Sequence, residues 1–368
     1  MENSKIDYIP ISQPSITQKE IDYVTDAVKS GWVSSLGTYV DKFEKMFSEY
    51  CDTKYALTTA NGTVALHLAL AALGINQEDE VIVPNFTFIA TANAVKYLGA
   101  KVITVDIDEE TYCISPKAIE KAITLKTKAI VPVHLYGQPA NMDEINTIAR
   151  NNNIFVIEDA AEAHGAEING RKVGGLGEAG IFSFYGNKII TSGEGGMITT
   201  NNHILYEKMK YLRDQAMSSE KRYWHTEIGF NYRMTNLQAA LAVAQLERID
   251  KILDKKIEIF SWYQSHLKYI KSIKLNPHLD NYKNVYWVIC IELLDFSENQ
   301  RDNIMEKLKE HNIDSRPYFY PISEMPMYSR VNTPVTKLIS RRGINLPSYY
   351  DITQDQVLYI CNELKKLL

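Results

Sequence analysis

A single lysine, Lys188, stands between an apolar stretch and a glycine-rich one in Ser183-Phe-Tyr-Gly-Asn-Lys-Ile-Ile-Thr-Ser-Gly-Glu-Gly-Gly196. Apolar walls disfavour an ammonium, and a partly neutral amine can form a Schiff base with an aldehyde. Ser183, five residues earlier, offers a hydroxyl to a phosphate. A second group is the turn Ala60-Asn61-Gly62-Thr63, which opens the strongly helical run Val64–Ala72. A helix start presents unpaired N–H groups and the positive end of the helix dipole, so Gly62 and Thr63 can cradle a phosphate, although the same residues also serve as an ordinary cap. A third is Glu158-Asp159-Ala-Ala-Glu162-Ala-His164, which follows the apolar run Ile154–Ile157. If the lysine holds pyridoxal phosphate, an acid is needed against the pyridine nitrogen, because a protonated ring is an electron sink. Asp159 is the natural donor of that charge, and the three groups together make one consistent cofactor site.

Gly175-Leu-Gly-Glu-Ala-Gly180 is a literal G-x-G-x-x-G, with Glu194 downstream as a nominal ribose-binding acid. Dinucleotide binding requires the motif to lie between a strand and a helix that receives the pyrophosphate. Here Ile181-Phe-Ser-Phe-Tyr185 follows and reads as a strand, so the pattern reads as a glycine turn.

The elements that must position these groups recur as apolar strand followed by helix, the signature of a mostly parallel sheet covered by helices. Strands are expected at Glu80–Pro84, Lys101–Val105, Ala129–Val133 and Ile154–Ile157, with helices at Ala90–Tyr97, after Ser115-Pro116 and at Met142–Arg150. Ligands of such sheets gather beyond the carboxyl ends of the strands, where Asp159 falls. Thr17-Gln-Lys-Glu20 matches a capping box, and Ile21, Val24 and Val28 follow at helical spacing, which predicts a docked N-terminal helix. One long helix is expected from Asn236 towards Leu267 as a connector. A strand at Val285–Leu293, a helix at Glu298–His311, a strand at Asp314–Phe319 and a helix at Gln354–Leu367 make a smaller α+β unit. The expected division is a large α/β domain over 1–250 and a small one over 251–368.

The 368 residues are 45% hydrophobic and 23% charged, as in ordinary globular chains. A net charge of −5 provides no broad field for nucleic acid. The four cysteines are far apart without a C-x-x-C pair, so neither a zinc site nor a disulfide framework is expected. The sequence carries no stretch that reads as a membrane span or signal peptide, and a cytoplasmic location is expected.

Several longer motifs carry a resemblance. Gly31-Trp-Val-Ser-Ser-Leu-Gly37, Asn61-Gly-Thr-Val-Ala-Leu66, Glu158-Asp-Ala-Ala-Glu162, Phe184–Gly196 and Gly229-Phe-Asn-Tyr-Arg-Met-Thr-Asn236, in this order, resemble the DegT/DnrJ/EryC1/StrS group of sugar-nucleotide aminotransferases, which depend on pyridoxal phosphate. The likeness covers nearly the whole chain. It implies fold type I and a homodimer with active sites shared between subunits. Residue by residue, it implies that Lys188 is the Schiff-base lysine, Asp159 the partner of the pyridine nitrogen and Glu162 a neighbour of the ring oxygen. Phe88, in Asn85-Phe-Thr-Phe-Ile, would stack on the ring. Gly62, Thr63 and Ser183 would hold the phosphate, which Asn231 would reach from the other subunit.

The resemblance further implies amino transfer from L-glutamate to the C4 keto group of a nucleotide-linked 4-keto-6-deoxy sugar, for surface polysaccharide synthesis. Related dehydratases have histidine where Lys188 stands, so the lysine favours amino transfer. Tyr223-Trp-His225, Arg316-Pro-Tyr-Phe-Tyr-Pro321, Met325–Tyr328 and Arg342–Pro347 resemble members acting on a GDP-linked sugar, with UDP- and dTDP-linked sugars as alternatives. Trp32, Ser34, His164, Trp224 and Tyr320 are the candidate substrate contacts, and Arg222, Arg341 and Arg342 could meet the diphosphate. The readings from other classes are an NAD-dependent oxidoreductase using Gly175–Gly180 and a non-catalytic sugar-nucleotide-binding regulator.

Overall fold

A computed structural model describes residues 7–368. Its centre is a seven-stranded sheet in the spatial order Tyr55–Thr59, Gly196–Thr200, Ala179–Ser183, Phe155–Asp159, Thr127–Ile130, Glu80–Pro84, Lys101–Val105. Only Gly196–Thr200 runs against its two neighbours, so the sheet is mostly parallel, as expected. Alternate residues of one strand point to opposite faces. Ile82, Ile130 and Val156 accordingly enter one core, with Phe43 and Phe47 of the helix Thr38–Tyr50. Val81, Val83, Ala129 and Ile157 enter the other, with Leu66 and Leu70 of the helix Gly62–Ala72 and Val95 of the helix Ala90–Tyr97. Helices cover both faces, which is why these strands read as continuous apolar runs.

A second sheet, ordered Ile273–Leu275, Ile289–Leu293, Gly343–Leu346, Arg316–Pro317, is fully antiparallel and builds a third core with the helices Glu298–Glu310 and Gln354–Leu367. Four expectations are corrected here. The connector is two helices, Asn236–Leu246 and Ile249–Leu267, because Arg248 leaves helical geometry (φ −126°, ψ 16°) where it binds Glu20. The strand expected at Val285–Leu293 begins only at Ile289, and that expected at Asp314–Phe319 shrinks to Arg316–Pro317, whose proline lacks a ladder N–H. The N-terminal helix Gln18–Lys29 has its capping box, but it docks through Glu20 and Ala27, leaving Ile21 (51% exposed) and Val28 (54%) facing outward.

Candidate active site

The carboxyl ends of Tyr55–Thr59, Phe155–Asp159 and Ala179–Ser183 open onto a cavity of about 540 Å³. Gly62, Thr63, Phe88, Asp159, Glu162, Ser183 and Lys188 all line it, so residues up to 126 positions apart in sequence meet in one place. Lys188 places Nζ 3.4 Å from Glu162 Oε1 and 4.0 Å from the centre of the Trp287 ring. The groups beside this amine are therefore an acid and an aromatic face, where apolar walls were expected.

Asp159 and Glu162 are buried, and burial pushes both pKa values up, Lys188 opposing it at each. Each carboxylate is fixed from a second side. The Thr91 hydroxyl donates to Asp159 Oδ2 (2.8 Å) and the Ala161 N–H to Oδ1 (3.2 Å). The Tyr136 N–H donates to Glu162 Oε2 (2.9 Å). At the helix start, Asn61 Oδ1 accepts from the Val64 N–H (3.0 Å) and the Asn61 carbonyl from Ala65. The amides of Gly62 and Thr63 have no acceptor within a helical first turn. A Cβ on Gly62 would stand 3.0 Å from Ser183 Cβ, so the glycine lets the helix start close onto the Ser183 hydroxyl.

Glu158 has a different task from Asp159. Strand alternation sends it to the opposite face, where Oε1 accepts from the N–H groups of Leu176 (2.7 Å) and Gly177 (2.8 Å) and Oε2 from Gly174 (2.8 Å). His134 Nδ1 accepts from the Ala140 N–H (3.0 Å), which leaves Nε2–H to donate to Glu158 Oε2 (3.1 Å). The glycine-rich segment is thus wrapped around an anion, the chain's own Glu158. A strand follows it, and Gly180 is needed because a Cβ would run into the Gly174 backbone. The glycine-turn reading holds, and the dinucleotide alternative is overturned.

The other expected contacts lie outside this cavity. His164 is fully buried between Phe182 and Phe184 (5.4 and 5.5 Å between ring centres), and burial, helped by the charge of Lys188, pushes its pKa down to about 3. It is a neutral packing ring, which corrects its reading as a substrate contact. The carbonyls of Trp32 and Ser34 hold Asn236, and Trp224 and Tyr320 are about half exposed. Asn231 is exposed and accepts from Arg233 (2.8 Å). Arg341 lies 3.6 Å from Glu298 and 3.5 Å from Glu324. Thr91, Tyr136, Trp287 and Phe319 were not legible as site residues. Trp287 and Phe319 sit in runs that read as strands, and only the turn-like Tyr136-Gly-Gln-Pro139 could have drawn notice.

This donor set fits pyridoxal phosphate on its own chemistry. Two helix-start amides and a hydroxyl suit a phosphate, an amine suits an aldehyde, and Asp159, buried and with no ion-pair partner among the described residues, suits a protonated ring nitrogen. The comparisons agree. GDP-perosamine synthase of Escherichia coli O157:H7 is 45% identical over 361 residues, 98% of each chain. The protein of the same name from Vibrio cholerae is 44% identical over 361 residues, 97% of this chain and 98% of its own. Among solved structures, DesV of S. venezuelae has a TM-score of 0.92 at 30% identity, with 98% of both chains covered. Spr1654 of Streptococcus pneumoniae in its PLP-form has a TM-score of 0.92 at 26% identity, covering 98% of this chain and 100% of that one. With residues 14–365 matching the family throughout, the chain belongs to the DegT/DnrJ/EryC1/StrS aminotransferases and works with pyridoxal phosphate.

Proposed function

We propose that this enzyme moves an amino group from L-glutamate to C4 of GDP-4-keto-6-deoxy-D-mannose, giving GDP-perosamine for a surface polysaccharide. The observation that carries the sugar and nucleotide is the 45% identity, over 98% of both chains, to a GDP-perosamine synthase. The same reading takes the enzyme to be a cytoplasmic homodimer with shared sites, divided into a large domain over 1–250 and a small one over 251–368. The core gathered on the small sheet supports that division, while the first core is shared across it by Val285, Trp287, Cys290 and Tyr318.

When bound, pyridoxal phosphate supplies an electron sink that lets a proton leave the carbon carrying the amino group. The residues then have separable tasks. Gly62 and Thr63 amides and the Ser183 hydroxyl hold the phosphate. Asp159, steadied by Thr91 and Ala161, keeps the ring nitrogen protonated, and Phe88 offers a ring face from the cavity wall. Lys188 Nζ takes a proton from the glutamate α-carbon in the first half-reaction and delivers one to C4 of the sugar in the second, with Glu162 3.4 Å away. Trp287 and Phe319 add two aromatic rings to the cavity wall. Asn231, exposed in its own subunit, would reach the partner's phosphate.

GDP-, UDP- and dTDP-linked 4-keto sugars assayed with glutamate test the substrate, and amination of the GDP sugar alone is expected. Turnover only of a UDP or dTDP sugar overturns the GDP assignment. Borohydride should fix the cofactor to the peptide holding Lys188, and Lys188→Ala should lose both trapping and amino transfer.

A further inference from the structure

The helix Ile249–Leu267 carries a lysine that the mechanism above does not use. Lys256 is buried, and its Nζ donates to the Trp287 carbonyl (3.0 Å), the Ser348 carbonyl and Ser348 Oγ (3.3 Å). All three acceptors are neutral. Burial brings its pKa down to about 7, a sign of how much this placement costs the charged form. Space filling does not require it, since methionine would occupy a similar volume. What the amine adds is three donors at one point, which hold carbonyls from two chain segments far apart in sequence.

One of those segments leads directly to the site. The strand Ile289–Leu293 ends short of Trp287, whose carbonyl accepts from Lys256 and from the Ser348 hydroxyl (3.2 Å) instead of a sheet ladder. The Trp287 indole N–H donates to the Asn187 carbonyl (2.7 Å), the peptide unit joined to Lys188, and its ring lies under Lys188 Nζ. The second segment arrives at the same place. The Ser348 N–H donates to the Ile11 carbonyl (3.1 Å), and Ser12 Oγ reaches the same Asn187 carbonyl (3.4 Å).

We propose that Lys256 is a positioning residue for Lys188, acting through Trp287: its hydrogen bonds fix the indole that holds the Asn187 carbonyl and faces the amine. The proposal rests on the reading of Lys188 as the cofactor lysine. No covalent step is assigned to Lys256, which lies behind the cavity wall.

The test uses the full chain labelled with 5-fluorotryptophan, whose four tryptophans give four fluorine resonances, with Trp287 assigned by Trp287→Phe. In cofactor-free protein, Lys256→Met should move the Trp287 resonance and leave those of Trp32 and Trp224 in place. In the holoenzyme it should lower kcat by roughly tenfold or more, with KM for glutamate within about threefold. Lys256→Met added to Trp287→Phe should then cost less than about twofold further, since both act on one contact. Lys256→Gln, which retains two donors, should restore the resonance and most of kcat. An unmoved Trp287 resonance in folded Lys256→Met, or losses that multiply in the double variant, overturns the proposal. If Lys256→Met does not fold, Lys256→Gln decides alone: a moved resonance with unchanged kcat overturns it, and a retained resonance with near-native kcat supports it. Borohydride trapping on wild type, run alongside, separates failure of the Lys188 reading from failure of this one.

Discussion

Glu158 and Asp159 are adjacent carboxylates with opposite assignments, decided by the face each one meets. Glu158 satisfies three backbone N–H groups and His134, and its removal would leave all four donors buried without a partner. Glu158→Ala is therefore expected to destabilise the fold by about 3 kcal/mol or more, read as a shift in urea midpoint. Thr91→Val removes one donor from Asp159 while keeping the shape of the side chain. It should change stability by no more than about 1 kcal/mol and weaken cofactor binding by roughly tenfold, measured by cofactor titration of the stripped protein. Equal effects on folding and cofactor affinity in both variants would defeat the separation of roles. The chemistry-bearing types, Lys188, Asp159 and Glu162, were legible because few residues can do their work. Thr91 and Trp287 were not, because a threonine in a helix and a tryptophan in an apolar run have ordinary packing explanations until distances are known.

Among the elements, the N-terminal helix Gln18–Lys29 shows how a local signal can be right for a different reason. Its capping box was legible from Thr17 and Glu20, but the same Glu20 is also the docking group, accepting from Gln245 (2.7 Å) and Arg248 (2.9 Å). Burial is the largest influence on the Glu20 pKa and raises it, yet hydrogen bonds from Thr17 and Gln245 bring the net value below the usual 4.5. The sign follows: a depressed carboxyl pKa stabilises the fold above 4.5, and this contribution is lost as pH falls through the lowered value. The urea-midpoint difference between wild type and Glu20→Gln should be full at pH 7 and shrink steadily below about pH 4.5. A difference that persists in acid would mean that shape, not charge, holds the helix. The break at Arg248 belongs to the same contact, so reading Asn236 to Leu267 by helical propensity alone ran through it.

For the whole molecule, Ile21 and Val28 of the N-terminal helix and Trp32 and Leu36 just after it are large apolar side chains that a lone chain leaves in water. The proposed homodimer would cover them, and light scattering should give twice 42.0 kDa. Mixing Lys188→Ala with Asn231→Ala tests the shared site. If Asn231 serves the partner, each mixed dimer has one intact site, and random exchange should restore about a quarter of wild-type activity. No recovery on mixing would place Asn231 in the site of its own subunit or outside catalysis.

The parallel sheet, the helix starts and the types of group at the cofactor site were legible along the chain, because periodicity, capping and reactive side chains are local properties. Tertiary structure alone decided that Gly175–Gly180 wraps Glu158, that His164 is a neutral core ring and that Trp287 faces Lys188. Each of those outcomes depends on which segment arrives within about 3 to 6 Å, the range over which hydrogen bonds and ring contacts act, and no spacing along the chain encodes that arrival.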